Sequence, residues 1–179
     1  DGEPRQVIMQ APKNGFFYVL DRITGELLSA DPYVRITWAS GVDEATGRPI
    51  ETPQARYGDA VSTVSPSPVG GHNWHPMAYN PASQLVFMPT QDIPYVHADD
   101  ANYEFVPGSG GTGTDFEFAA APEDPAAAAD VAKMISGQLV AWDPVEQREV
   151  WRYKHAGPWN GGVLATAGGL VFQGSLIGE

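Results

Sequence analysis

The sequence predicts an all-β chain, and three observations predict it. Short runs of β-branched and aromatic residues recur along the 179 residues, each closed by turn chemistry. Glycine (20) and proline (16) together make up about a fifth of the chain, which disfavours long helices. Helical hydrophobic periodicity is almost absent.

The elements follow in order. Val-Ile-Met inside Gln6–Gln10 reads as a first strand, and Pro12-Lys13-Asn14-Gly15 after it holds Asn-Gly, a strong hairpin signal. Phe16–Leu20 is the returning strand, ended by Asp21-Arg22-Ile23-Thr24-Gly25, with Glu26–Ser29 following. Ile36–Ala39 carries Trp38 in another strand, and Gly41–Gly47 is expected as a loop. Pro49, Pro53, Pro66 and Pro68 mark residues 49–71 as an extended surface connection. Strands resume at Pro76–Tyr79 and Leu85–Met88, joined by Asn80-Pro81. An irregular insertion is expected over about residues 92–136. It holds the flexible, low-complexity Gly108–Thr114 and the run Ala119–Ala129, a short helix at most because Pro122 and Pro125 interrupt it. The last third is strand again: Gln138–Trp142, Glu149–Tyr153, Gly162–Thr166 and Leu170–Gln173.

Composition excludes several functions. A net charge of −12 repels phosphate backbones, so no nucleic-acid partner is expected. Cysteine is absent, which removes disulfides, thiolate metal sites and covalent haem attachment from these residues. No apolar run reaches the roughly 18 residues of a membrane helix. Neither end carries a basic or apolar leader, and both read as cut, so a piece of a longer polypeptide is expected. His72-x-x-His75 has a spacing zinc can use, but no Cys or Glu completes a set, and His97 and His155 lie in unrelated contexts. Gly108–Thr114 lacks the Lys-Ser/Thr ending of a phosphate loop, and Asp99-Asp100 lacks EF-hand spacing. No metal site is expected among these residues.

A weak internal repeat separates a sandwich from a propeller. Tyr18-Val19-Leu20-Asp21, Met77-Ala78-Tyr79-Asn80 and Val140-Ala141-Trp142-Asp143 are each an apolar strand ending in Asp or Asn, then a tight turn, then another strand. They recur 59 and 63 residues apart, longer than the about 40 to 50 of a plain blade, the insertion supplying the excess. A repeated hairpin that cannot bury both faces alone implies blades stacked about an axis.

These residues resemble a known family. Ala141-x-Asp143-x-x-x-Gln147-x-x-x-Trp151 is similar to the tryptophan-docking motif of the quinoprotein alcohol dehydrogenases, with Gln147 where the motif has Gly. Ala11–Arg22 resembles the cofactor-approach hairpin of that family, and Gly71–Pro76 and Gly157–Thr166 resemble two more of its segments. The resemblance implies a propeller of eight blades, of which residues 1–179 would form about three to four as a partial domain. It implies a periplasmic enzyme that oxidises alcohols to aldehydes with pyrroloquinoline quinone (PQQ) and Ca²⁺. Electrons would pass to a cytochrome c-type acceptor or to a haem c domain downstream. No segment here matches the general-base Asp, the Ca²⁺ ligands or the vicinal disulfide, which lie upstream in the family.

By the same resemblance Lys13 donates to the quinone oxygens, and Asn73 offers an amide to the same edge. An ammonium there would stabilise the oxyanion that develops as hydride arrives. Lys in place of the Arg of the methanol-oxidising branch leans toward the haem-linked branch. Trp74 and Trp159 would wall the substrate cavity, Trp74 also touching cofactor, while Asn160 and Gly161 would bring backbone amides to an anionic ligand. Trp142 and Trp151 are expected in blade core. The alternative is a non-catalytic propeller of the same repeat type, an assembly or ligand-binding scaffold. It has no reason to keep Lys13, Asn73 and Trp159-Asn160 together.

Overall fold

A computed structural model describes residues 4–58, 60–115, 122–176 and 178. Thirteen strands and one α-helix are present among them. The strands are β1 (Val7–Gln10), β2 (Phe16–Asp21), β3 (Leu27–Pro32), β4 (Ala39–Asp43), β5 (Arg48–Glu51), β6 (Ser62–Val64) and β7 (Ala78–Asn80). They continue with β8 (Leu85–Asp92), β9 (Tyr95–His97), β10 (Ser136–Asp143), β11 (Arg148–His155), β12 (Asn160–Ala165) and β13 (Val171–Ser175). The helix α1 spans Pro125–Lys133. Every pairing between these strands is antiparallel: β1-β2-β3, β11-β10-β8-β7, β12-β13, β4-β5 and β6-β9.

The central strands β8 and β10 are buried on both faces, and their alternating side chains serve two different cores. Val86, Met88, Val140 and Trp142 pack with Phe17, Val19, Tyr33 and Val34. Phe87, Leu139 and Ala141 turn the other way onto Val163 of β12. The four-stranded sheet therefore lies between the β1–β3 sheet and the β12–β13 hairpin, the layering that stacked blades require. Trp142 is core as expected, with its ring 5.8 Å from that of Phe17. Trp151 departs from expectation: on the outer strand β11 it packs against Phe87 at 5.8 Å but stays 39% exposed.

The repeat is a repeated turn. The Oδ1 atoms of Asp21, Asn80 and Asp143 each accept from the amides two and three residues on: Ile23 and Thr24, Ala82 and Ser83, Val145 and Glu146. Asp43 Oδ1 accepts from the Thr46 amide at 2.9 Å, so the second Thr-Gly turn, Thr46-Gly47, is a partial copy. The fourth residue after each has positive φ: Gly25 (79°), Gly47 (67°), Gln84 (58°) and Gln147 (50°). Glycine meets that demand at no steric cost, whereas Gln does not.

Several expectations are corrected. Ile36–Trp38 is not strand; the strand begins at Ala39, and the expected loop Gly41–Gly47 is largely the β4–β5 hairpin. The proline-marked stretch is not a surface connection throughout, since Ser65, Ser67, Gly70 and Gly71 are buried. Pro125 does not interrupt the helix but opens it, with Asp124 capping the Ala127 amide at 2.8 Å. Residues 119–121 of the expected helix lie outside the described residues. The insertion is not wholly irregular, because it also contains β9, and its glycine loop returns through an Asp99–Thr114 bridge.

Gln147→Gly tests the repeated turn. It relieves about 1 kcal/mol of left-handed strain, part of which the looser unfolded chain takes back. Net stabilisation of about 0.5 kcal/mol is expected in urea unfolding of the complete protein.

Candidate functional site

The loop between β1 and β2 is held more firmly than any hairpin signal requires. Its successive carbonyls, Ala11 to Gly15, each meet a donor from outside the loop. Ala11 O faces His72 Nδ1 at 2.7 Å, Pro12 O accepts from the Tyr33 hydroxyl at 2.6 Å, and Lys13 O accepts from the Gly71 amide at 3.0 Å. Asn14 O accepts from Trp38 Nε1 at 3.1 Å, and Gly15 O from the Tyr33 amide at 3.0 Å. Gly15 has φ of 100°, and a Cβ there would lie 2.8 Å from Ile36 Cγ1, so only glycine fits. Burial pushes the Tyr33 phenol far above its ordinary range, so it stays a hydroxyl donor. Lys13 itself is exposed at the tip, with Nζ 3.2 Å from Pro68 O.

The second wall runs from Ser67 to Pro76. The buried Gln91 amide donates to Val69 O and Gly70 O at 3.1 and 3.0 Å, and Asn73 Nδ2 donates to Val69 O at 3.0 Å. A Cβ on Gly70 would come within 2.7 Å of Lys13 Cα, and one on Gly71 within 2.4 Å of Val34 Cγ2, so the two walls touch through glycine. Buried His72 ties them: its other nitrogen, Nε2, lies 2.8 Å from His75 O.

The third wall is Pro158–Gly162. Asn160 is buried, and its Nδ2 donates to Thr90 O at 2.9 Å. Gly162 abuts Pro76, where a Cβ would meet Cγ at 2.5 Å, and the Val163 amide donates to Pro76 O at 2.9 Å. Between the second and third walls lies an open depression of about 600 Å³, lined by His75, Trp159, Asn160, Gly161, Gly174, Ser175 and Leu176 among the described residues. Trp74, 79% exposed, stacks on His75 with centroids 4.3 Å apart, and Trp159 lies 6.5 Å beyond His75. Burial, with a smaller push from His72, holds the His75 imidazole below its ordinary value, so it stays neutral at neutral pH. A second, smaller cleft of about 330 Å³ lies among Trp38, Glu51, Arg56, Tyr57 and His97.

The structure thus gathers the residues singled out by sequence into two neighbouring groups. Lys13 and Asn73 meet around the Pro68–Val69 carbonyls. Trp159, Asn160 and Gly161 line the depression, and Trp74 reaches it through His75. No cluster of three or more His, Cys, Asp or Glu with metal-binding geometry is present among the described residues. Tyr33, His72, His75 and Gln91 were missed. His72-x-x-His75 is the visible signal, since the pair lies inside the family-like segment Gly71–Pro76.

No protein-family model matches the chain. The chain is 49% identical, over its whole length, to the quinohemoprotein alcohol dehydrogenase ADH IIB of Pseudomonas putida, covering 25% of that protein. It is 45% identical to a 1-butanol dehydrogenase (cytochrome c) of Thauera butanivorans, with 97% of this chain and 25% of that protein aligned. Among solved structures, the quinohemoprotein alcohol dehydrogenase ADHIIG of Pseudomonas putida superposes with a TM-score of 0.86 at 41% identity, over 98% of this chain and 26% of that one. The chain is therefore homologous throughout to quinohemoprotein alcohol dehydrogenases and shares their propeller fold, and it spans about a quarter of the length of the curated relatives it matches.

Two outcomes follow for the complete protein. Tyr33→Phe strands the Pro12 carbonyl and is expected to cost about 1 kcal/mol in urea unfolding. His75 and His97 are both held below the ordinary imidazole value, chiefly by burial. The unfolded chain therefore binds protons that the folded one refuses, and stability falls as pH drops through about 6.5. A lower thermal midpoint at pH 5.5 than at pH 7.5 checks this.

Proposed function

We propose that this chain forms part of the cofactor-binding wall of a PQQ-dependent alcohol dehydrogenase. The observation that carries the reading is the convergence of Lys13, Asn73, Trp74, Trp159, Asn160 and Gly161 on adjoining loops, in a chain homologous throughout to such enzymes. Ca²⁺ as the metal partner, a periplasmic location and a cytochrome c acceptor belong to the same proposal, as does a small alcohol substrate. The name of the Thauera butanivorans relative supports the last two.

The donor set fits an anionic, oxygen-rich planar group. An ammonium with three protons, only one of which Pro68 O occupies, can reach a ligand oxygen. Exposed indole faces at Trp74 and Trp159 offer flat apolar surface. Gly161 and Gly174 bare the backbone on the floor of the depression. When bound, the quinone supplies the two-electron acceptor that an alcohol's hydride needs and that no side chain here provides.

The chain's own residues do the rest. Lys13 directs positive charge at the oxygen that gains electron density, which matters most where water is excluded. The carbonyl anchors on residues 11–15 fix the backbone from which Lys13 projects, and Pro68 O at 3.2 Å steadies its ammonium, which lowers the cost of orienting it. Asn73 is fastened through one Nδ2 hydrogen to Val69 O, and its second N–H remains to offer the same edge. Asn160 acts through its fixed main chain, its amide being committed to Thr90 O.

Lys13→Ala in the complete protein, reconstituted with PQQ and Ca²⁺, is expected to lower turnover by about a hundredfold. Lys13→Arg should recover part of that loss. Steady-state oxidation of 1-butanol with an artificial electron acceptor measures both. No alcohol oxidation by the unaltered reconstituted protein sinks the proposal.

A further inference from the structure

We infer that His75 is a ligand-contact residue of this depression, giving a hydrogen bond from its ring N–H to an oxygen of the planar anionic group that binds there. The inference rests on the cofactor reading and deepens it. His75 is only 7% exposed, yet its ring forms part of the lining of an open depression of about 600 Å³. Among the described residues no hydrogen bond to its ring nitrogens is present, so the imidazole edge is left to whatever occupies the depression. Its main-chain carbonyl, by contrast, is held at 2.8 Å by His72.

Its ring has two aromatic neighbours. The Trp74 indole lies over it at 4.3 Å and 24°, and Trp159 stands at 6.5 Å, so His75 is the polar member of an aromatic row. Ring stacking fixes the plane of the imidazole and leaves its edge atoms to a ligand. A neutral imidazole offers one N–H and one lone pair, and the N–H suits a quinone or carboxylate oxygen. Asn160 and Gly161, for which the family resemblance implies cofactor contact, share the same lining.

The test is PQQ binding by the complete apo-protein, followed by quenching of tryptophan fluorescence. His75→Phe keeps the ring on Trp74 and removes both nitrogens; it is expected to weaken binding about tenfold, the loss of one hydrogen bond to a charged acceptor. His75→Gln keeps a donor and should bind within about threefold of the unaltered protein. In the unaltered protein, the ¹⁵N resonances of the His75 ring, identified by their absence from the His75→Gln spectrum, should move when PQQ is added. Binding by His75→Phe as tight as that of the unaltered protein overturns the inference while leaving the cofactor reading intact. Unmoved ring resonances do the same, whether or not the variants fold. If the unaltered protein does not bind PQQ at all, both readings fall.

Discussion

The site depends on one arrangement, the capture of five successive carbonyls from Ala11 to Gly15 by groups brought from elsewhere in the chain. A hairpin loop with an exposed lysine is ordinarily mobile, because its backbone groups find water as readily as protein. Here His72, Tyr33, Gly71 and Trp38 replace that water, and each is set by separate packing. Tyr33 is a fully buried ring whose hydroxyl and amide both serve this loop. Removing a donor would leave a buried acceptor unmet, which makes the loop conformation cooperative with the core beneath it.

That core has two sides because β8 and β10 have two sides. Residues alternate along each strand between a cluster shared with β2 and β3 and a cluster shared with β12. The same strands carry the polar residues that reach the site: Gln91 at the end of β8 clamps Val69 and Gly70, and Thr90 takes the Asn160 amide. Glycines at 70, 71 and 162 then let three loop walls approach to backbone contact. The candidate site is thus an edge property of the stacked sheets, built where their ends converge.

Much of the fold was legible in local chemistry. Asp21, Asn80 and Asp143 announced their turns because an Asx side chain bonds amides two and three residues away, wherever the chain lies. Local reasoning failed where distant partners decide the outcome. Ile36–Trp38 looks like strand, yet the Trp38 indole is drawn to Asn14 O and the segment bends. The run from Ser65 to Gly71 looks like surface connection, yet all of it but Pro68 and Val69 is buried, against β8 and the Lys13 loop. Trp151 looks like core, and its outer strand leaves it partly uncovered.

By itself the sequence determined the strand-and-turn grammar, the absence of thiol chemistry, the family resemblance and the short roll of residues around Lys13, Asn73 and Trp159-Asn160-Gly161. These are encoded in neighbours a few positions apart, or in motifs that survive intact. Only the tertiary structure decided that Asn73 and Asn160 are anchored on the Val69 and Thr90 carbonyls, and that His75 is the imidazole lining the depression. The reason is physical: a side chain's chemistry is local, but whether its hydrogen-bonding capacity is used or left over depends on groups tens of residues away.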